Sequence, residues 1–122
     1  MKILIVDDEI EIREILRLWC EEEGFTVYDA ENGREAVVIQ RQTPVDFMIC
    51  DLIMPVQEGI ETITYFNQEF PNVTIIAISG GGKIGPDSYL EVASQLGAWK
   101  TFRKPLNRQE LIDTIIAKKQ HT

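Results

Sequence analysis

Short apolar runs that alternate with segments of helical spacing constrain the fold of this chain more than any other feature. The runs at 3–6, 47–50 and 73–78 are almost entirely apolar. Strands of this kind need cover on both faces, which is typical of a parallel sheet between two helical layers. The stretch 25–28 is closer to an alternation of apolar and polar residues, which predicts a strand at the edge of that sheet.

The segments between these runs carry helical signatures. Ile12, Ile15, Leu16 and Trp19 recur at helical spacing before Gly24, which predicts a first amphipathic helix. Capping-box pairs predict where the second and fifth helices begin, and apolar residues at helical spacing predict the third and fourth. These signals are Asn32 with Glu35, Asn107 with Glu110, then Ile60, Ile63 and Phe66 before Pro71, and Tyr89, Val92, Ala93 and Leu96 before Gly97.

The strict alternation of the two kinds of segment predicts the topology. Short connections between strands and helices indicate right-handed crossovers and an α/β fold. We predict a flavodoxin-like, doubly wound parallel sheet of five strands in the order 2-1-3-4-5, with five helices, in a single domain over residues 1–122. In such sheets ligands bind outside the carboxyl ends of the strands, near the point where the strand order reverses.

The acidic composition bears on partners and location. Twelve Lys and Arg residues against twenty Asp and Glu residues give a formal net charge of −8. This charge would repel a phosphate backbone or an anionic lipid surface, so we expect no direct binding to nucleic acid or membrane. No apolar run approaches the ~20 residues that span a bilayer, and we expect a cytoplasmic protein. Cys20 and Cys50 fall in apolar patterns and are predicted to be reduced thiols in the core.

Polar residues collect at the predicted carboxyl ends of the strands. Asp7 and Asp8 follow the first strand, Asp51 the third, Ser79 the fourth and Lys104 the fifth. Any one of them alone is more typical of a turn or a helix cap than of a functional site. If the carboxylates converge, each like-charged pair at ~5 Å and an effective dielectric of ~20 costs roughly 3 kcal/mol. Lys104 would offset part of that repulsion, and a hard divalent cation such as Mg²⁺ would offset the rest.

These residues, taken together and in this order, resemble the receiver domain of two-component response regulators. The resemblance extends over essentially the whole chain and rests on Asp7-Asp8, Asp51-Leu52-Ile53-Met54-Pro55, Ser79 and Lys104-Pro105. It implies that Asp51 accepts a phosphoryl group, and that Lys104 and Ser79 contact the phosphoryl oxygens. It also implies a cis bond before Pro105 and a site for Mg²⁺, or Mn²⁺, at Asp7, Asp8, Asp51 and the backbone carbonyl of Ile53.

The resemblance further implies a signalling role. The phosphoryl donor would be a sensor histidine kinase or a histidine phosphotransfer protein, and the recipient of the signal a downstream protein target. The output would pass through the face formed by the fourth helix, fifth strand and fifth helix, where phosphorylation could also drive homodimerisation. Such a domain catalyses only its own phosphorylation and dephosphorylation, so we expect no enzyme in the ordinary sense. The alternative is an unphosphorylated interaction module that keeps the receiver fold.

The chain departs from the receiver pattern at several positions. Thr101 occupies the place where receivers carry a Tyr or Phe that moves on activation, while Phe102 is predicted to pack in the core and Trp99 to be core or an exposed partner-binding aromatic. Ile53 and Gly81 lack polar side chains that would orient water, which predicts slow dephosphorylation. The loop 80–85 satisfies G-x-G-x-x-G, but it follows the fourth strand, so we favour a flexible loop over a flavin or nucleotide site.

Overall fold

The computed structural model describes residues 1–52, 56–80 and 86–120. Strands and helices alternate along these ranges, as the sequence predicts. The elements are β1 (Lys2–Val6), α1 (Ile10–Glu22), β2 (Thr26–Ala30), α2 (Gly33–Gln42), β3 (Phe47–Asp51), α3 (Val56–Glu69), β4 (Thr74–Ser79), α4 (Pro86–Gln95), β5 (Lys100–Arg103) and α5 (Arg108–Gln120).

The five strands form one parallel sheet in the order β2-β1-β3-β4-β5. This confirms the predicted fold class and strand order, including the edge position of the second strand. The register places Val6 beside Cys50 and Asp51 beside Ile78, and β4 continues one residue further to Ser79. The carboxyl ends of β1, β3 and β4 therefore lie side by side at one edge of the sheet, at the point where the strand order reverses.

Two apolar layers cover the sheet, one on each face. Ile3 and Ile5 of β1 pack with residues of α1 and α5, whereas Leu4 and Val6 pack with residues of α2, α3 and α4. All four side chains are fully buried. The alternation follows from the pleat of the strand, and burial on both faces explains why the strand is apolar at each position from Ile3 to Val6.

The buried stripe of α1 differs from the predicted one. Leu16 and Cys20 are fully buried and Ile12 and Trp19 pack partly against the same core, but Ile15 is 42% exposed. At 100° per residue, the centre of the buried face lies between Leu16 and Cys20, which places Ile15 at its margin. Cys20 therefore extends the stripe in place of Ile15.

Both predicted helix starts are confirmed by their caps. The side-chain Oδ1 of Asn32 accepts a hydrogen bond from the backbone N–H of Glu35 at 2.9 Å, and Asn107 does the same for Glu110. Each asparagine thereby satisfies a backbone donor that the first turn of a helix leaves without a partner. Gly24 follows α1 with a φ of 85°, a conformation that favours glycine.

The two cysteines are buried and free, as predicted. Burial raises the pKa of the Cys20 thiol to about 12, and it raises the pKa of Cys50 further. Both thiols are therefore protonated at neutral pH and unreactive. Among the helices in the described ranges, none has the length and apolar character that a bilayer crossing needs.

The cap of α2 makes a prediction about stability. Asn32→Ala removes the side-chain acceptor for the N–H of Glu35, and we expect the free energy of unfolding to fall by about 1 kcal/mol. Urea unfolding followed by circular dichroism measures the change. Asn32→Ser keeps a capping oxygen and should retain most of the stability. Equal stabilities for the Ala and Ser variants would contradict the role of the cap.

Candidate functional site

The predicted site residues meet at the carboxyl edge of the sheet. Asp7 directly follows β1, Asp51 and Ser79 end β3 and β4, and Lys104 directly follows β5. Asp7, Asp51 and Ser79 are fully buried. The backbone N–H of Lys104 donates to the carbonyl of Ser79 at 2.8 Å, which fixes the end of β5 against the end of β4.

The ammonium of Lys104 is the centre of the charged cluster. Its Nζ lies 2.8 Å from Oδ2 of Asp51 and 3.8 Å from Oδ2 of Asp7. A third carboxylate oxygen, Oε1 of Glu9, lies 4.0 Å away. The structure therefore brings together three of the predicted residues and adds Glu9, which the sequence analysis did not single out.

The carboxylates form one group. A carboxylate oxygen from each of Asp7, Glu9 and Asp51 lies within 4.8 Å of those of the other two. The backbone N–H of Glu9 donates to Oδ1 of Asp7 at 2.9 Å, so the turn into α1 places both acids at the site. Asp8 is exposed and lies outside this group, and Ile53 lies outside the described residues.

The donor set fits a hard divalent cation. Among the described residues, three acidic side chains face one ammonium, so the acids outnumber the cation in the cluster. Within the part of the chain that the structure describes, Oδ2 of Asp7 and Oγ of Ser79 are buried without a hydrogen-bond partner. Buried polar atoms normally have a partner, and carboxylate oxygens are the ligands that Mg²⁺ and Mn²⁺ prefer. The two atoms are therefore candidates to contact a ligand.

The electrostatics of the site raise the pKa of both Asp7 and Lys104, for different reasons. Burial raises the pKa of Asp7 to about 7, and the neighbouring Asp51 carboxylate raises it as well. Burial alone would lower the pKa of Lys104, but the hydrogen bond to Asp51 and the charges of Asp7 and Glu9 outweigh it and raise that pKa. Lys104 is therefore a permanent cation, while Asp7 gains and loses a proton near neutral pH.

Gly80 has a specific packing role at this edge. A Cβ at this position would lie 2.6 Å from both Cβ and Cδ of Lys104, which is closer than carbon atoms approach. The absence of a side chain thus leaves room for the stem of Lys104 on its way to Asp51. The sequence predicts a flexible loop over 80–85 and no such contact at Gly80; residues 81–85 lie outside the described ranges. The predicted cis bond between Lys104 and Pro105 is confirmed.

The residues around the predicted output position divide between core and surface. Phe102 packs partly against the core beside α1 and α5, which confirms its predicted role. Thr101 is half-buried in β5 and pairs with Ala77 of β4. Trp99 is 37% exposed, so it is the surface aromatic of the two alternatives that the sequence left open.

The comparisons with a family model and with known proteins all indicate the same family. The pattern of the family described as "Response regulator receiver domain" matches residues 3–116. "Response regulator GtcR" of Aneurinibacillus migulanus is 36% identical over 94% of this chain, which spans about half (46%) of the length of that relative. "Sporulation initiation phosphotransferase F" of Bacillus subtilis is 30% identical, with 93% of this chain and 90% of the relative covered.

A solved structure has the same fold. The crystal structure of a response regulator receiver domain protein (CheY-like) from Methanospirillum hungatei superposes with a TM-score of 0.87. The superposition covers 98% of this chain and 94% of that chain, at 24% sequence identity. The shared architecture extends over all five strands and the edge at which the acidic cluster lies.

The raised pKa of Asp7 predicts a pH-dependent stability. In the folded protein this pKa is about 7 against an ordinary value of 3.8, so between these pH values the folded state holds a proton that the unfolded chain has released. The free energy of unfolding therefore falls as the pH rises through this window. Asp7→Asn cannot ionise, and in a chelator we expect it to be more stable than the unaltered protein by about 2 kcal/mol at pH 8, with a much smaller difference at pH 4.

Urea unfolding at the two pH values measures this difference. Asp8→Asn is the matched control, because Asp8 is the adjacent acid and is exposed. We expect that variant to follow the unaltered protein at both pH values. A gain for Asp7→Asn that is the same at pH 4 and pH 8 would contradict the assignment of the effect to ionisation.

Proposed function

The chain belongs to the response regulator receiver family of two-component signalling, and from this premise we propose that it accepts a phosphoryl group on Asp51. The observation that carries the proposal is the 2.8 Å contact between Nζ of Lys104 and Oδ2 of Asp51 inside a buried acidic cluster. A buried carboxylate with an ammonium beside it is a nucleophile, and the ammonium offsets part of the negative charge that the phosphoryl group brings. The relative named as a sporulation initiation phosphotransferase supports a place in phosphoryl transfer.

Phosphoryl transfer to a carboxylate depends mainly on the alignment of the reacting groups. A carboxylate oxygen of Asp51 attacks the phosphorus of the donor, an O–P bond forms, and the bond between phosphorus and the leaving group breaks. The transferring group carries its charge on its equatorial oxygens. Lys104 is placed to donate to those oxygens, and the hydroxyl of Ser79, buried at the adjacent strand end, supplies a second donor.

The acidic cluster would hold the divalent cation. We propose Asp7 and Asp51 as ligands, together with Asp8 and the backbone carbonyl of Ile53, as the resemblance implies. Glu9 is a further acid within reach of the same point. When bound, Mg²⁺ or Mn²⁺ supplies positive charge beside the transferring oxygens. Oδ2 of Asp7 is buried and has no hydrogen-bond partner among the described residues, and a cation would give this atom a ligand contact. This supports the assignment.

The remaining parts of the proposal concern partners and output. A sensor histidine kinase or a histidine phosphotransfer protein would supply the phosphoryl group, and a downstream protein would read the switched state. The signal would leave through the face of α4, β5 and α5, where Thr101 lies in β5. Catalysis would be limited to the phosphorylation and dephosphorylation of the chain itself. A cytoplasmic location, no direct contact with nucleic acid or membrane, and phosphorylation-dependent dimerisation remain predictions.

The first test is the acceptor residue. Asp51→Asn removes the nucleophilic carboxylate but keeps the shape of the side chain, and we expect no phosphorylation by acetyl phosphate with Mg²⁺. Intact-protein mass spectrometry measures the added mass, and Phos-tag electrophoresis checks it. Asp113→Asn, an equal charge change on the exposed face of α5, should be labelled like the unaltered protein. Full labelling of Asp51→Asn would overturn Asp51 as the acceptor, whereas no labelling of the unaltered protein would favour the unphosphorylated interaction module.

The second test is the lifetime of the phosphorylated state. Ile53 lies two residues after Asp51 and has no polar group to orient a water molecule. We therefore expect slow loss of phosphate from the unaltered protein and a several-fold faster loss from Ile53→Asn. The decay of purified phosphoprotein after removal of the donor measures both rates. A faster decay of the unaltered protein would contradict the role given to position 53.

A further inference from the structure

A basic aromatic surface lies on the molecule away from the acidic cluster. Trp99 directly precedes β5 and is 37% exposed. The ammonium groups of Lys100 and Lys118 each lie 5.3 Å from the centre of its indole ring, one from β5 and the other from α5. We call these three residues the Trp99 surface. Its ring gives exposed aromatic area of the kind that is enriched at protein interfaces, and its two lysines add positive charge.

The lysines of this surface differ from the ion-paired cations of the chain. Arg13, Arg17, Lys104 and Arg108 all lie against carboxylates. Among the side chains that the structure describes, neither Lys100 nor Lys118 forms an ion pair. In a chain of net charge −8, the Trp99 surface is thus a place where positive charge stands uncompensated. An anionic partner would be attracted there and repelled by most of the remaining surface.

A groove continues the Trp99 surface along the amino edge of the sheet. It has a volume of about 430 Å³, and Lys118 belongs to both the groove and the Trp99 surface. Its walls include Phe47 and Thr74, the first residues of β3 and β4, and also Asn72 and Lys119. Asn72 and Thr74 offer an amide and a hydroxyl beside the lysines, while Phe47 is buried beneath the groove. The groove is in the size range of sites that hold a few side chains of a ligand.

We propose that the Trp99 surface and this groove dock an acidic segment of a partner protein that also carries large apolar side chains. The carboxylates would pair with Lys100 and Lys118, and an apolar side chain would cover Trp99, a residue type that dominates protein interfaces. Nucleic acid fits less well because a net charge of −8 repels its continuous row of phosphates more strongly than a short segment with a few carboxylates. The carboxylate of Asp46 lines the groove, so the acids of the segment would lie at Lys100 and Lys118 and its uncharged side chains in the groove. The groove lies at the amino ends of the strands, opposite the edge that carries Asp51, so the segment and a phosphoryl donor can bind together.

The test uses a defined probe. A fluorescein-labelled dodecapeptide of Asp and Glu with two Leu residues is titrated with the full chain, and fluorescence anisotropy gives the association constant at 50 and 300 mM NaCl. We expect saturable binding that weakens with salt. The same peptide with Asn and Gln in place of the acids should bind at least tenfold more weakly. A labelled dodecathymidylate that binds more tightly than the acidic peptide would overturn the proposal in favour of nucleic acid.

Variants locate the binding site. The double variant Lys100→Gln, Lys118→Gln should lower the association constant at least tenfold, whereas Arg34→Gln, Arg41→Gln, an equal charge change on exposed residues of α2, should leave it unchanged. Trp99→Ala should lower it at least fivefold, against no change for Leu18→Ala, which removes an exposed apolar side chain from α1. Circular dichroism checks that each variant is folded.

The peptide-binding results test the docking proposal independently of the proposal that Asp51 is phosphorylated. All four variants should be labelled by acetyl phosphate like the unaltered protein, because none of the altered residues contacts the acidic cluster. Equal peptide binding by the lysine double variant and its α2 control would overturn the docking proposal and leave Asp51 untouched. If Trp99→Ala does not fold, the comparison of the lysine double variant with the α2 double variant still tests the docking proposal.

Discussion

A single ammonium group holds together the edge of the sheet on which the rest of this structure depends. Nζ of Lys104 lies 2.8 Å from Asp51 and 3.8 Å from Asp7, and at an effective dielectric of ~20 these attractions amount to ~6 and ~4 kcal/mol before desolvation. The contact joins the ends of β1, β3 and β5, which come from distant parts of the chain. Gly80 permits it by leaving room for the lysine stem. Three carboxylates against one ammonium nevertheless leave the edge under repulsion.

That residual repulsion connects stability with function. A buried carboxylate whose pKa is raised to about 7 weakens the folded state at neutral pH, so the site lowers the stability of the domain that carries it. A cation at the cluster would relieve the repulsion, and a phosphoryl group on Asp51 would bring new negative charge to the same lysine. Either event would change the charge that Lys104 faces. A site that is incompletely balanced at rest can respond to small charged ligands, whereas a fully balanced one cannot.

The sequence predicts the scaffold and much of the site, for identifiable physical reasons. Strands apolar on both faces and helices with capping residues establish the order of the elements, and parallel strands bring Asp7, Asp51 and Lys104 to one edge whatever the details of packing. Glu9 and Gly80 were missed because their roles depend on the turn into α1 and on the path of one side chain, which no local pattern records. Helical spacing groups Ile15 with Leu16, yet Ile15 is partly exposed. The spacing determines the period of a helix, but it does not determine where the centre of the buried face lies.

The distribution of charge on the sheet follows from the same architecture. Acids that must meet at the carboxyl edge give that edge a negative potential, which a phosphoryl donor has to approach with its own negative charge. Lys104 reduces the barrier locally, and a divalent cation would reduce it further. The lysines of the Trp99 surface belong to β5 and to the last turn of α5. A positive charge in the last turn stabilises the C-terminal end of a helix. The carboxyl edge thus carries acids and the Trp99 surface carries lysines. A partner that is attracted to one of them is poorly suited to the other. Phosphoryl transfer and the proposed docking of an acidic segment would therefore use separate surfaces.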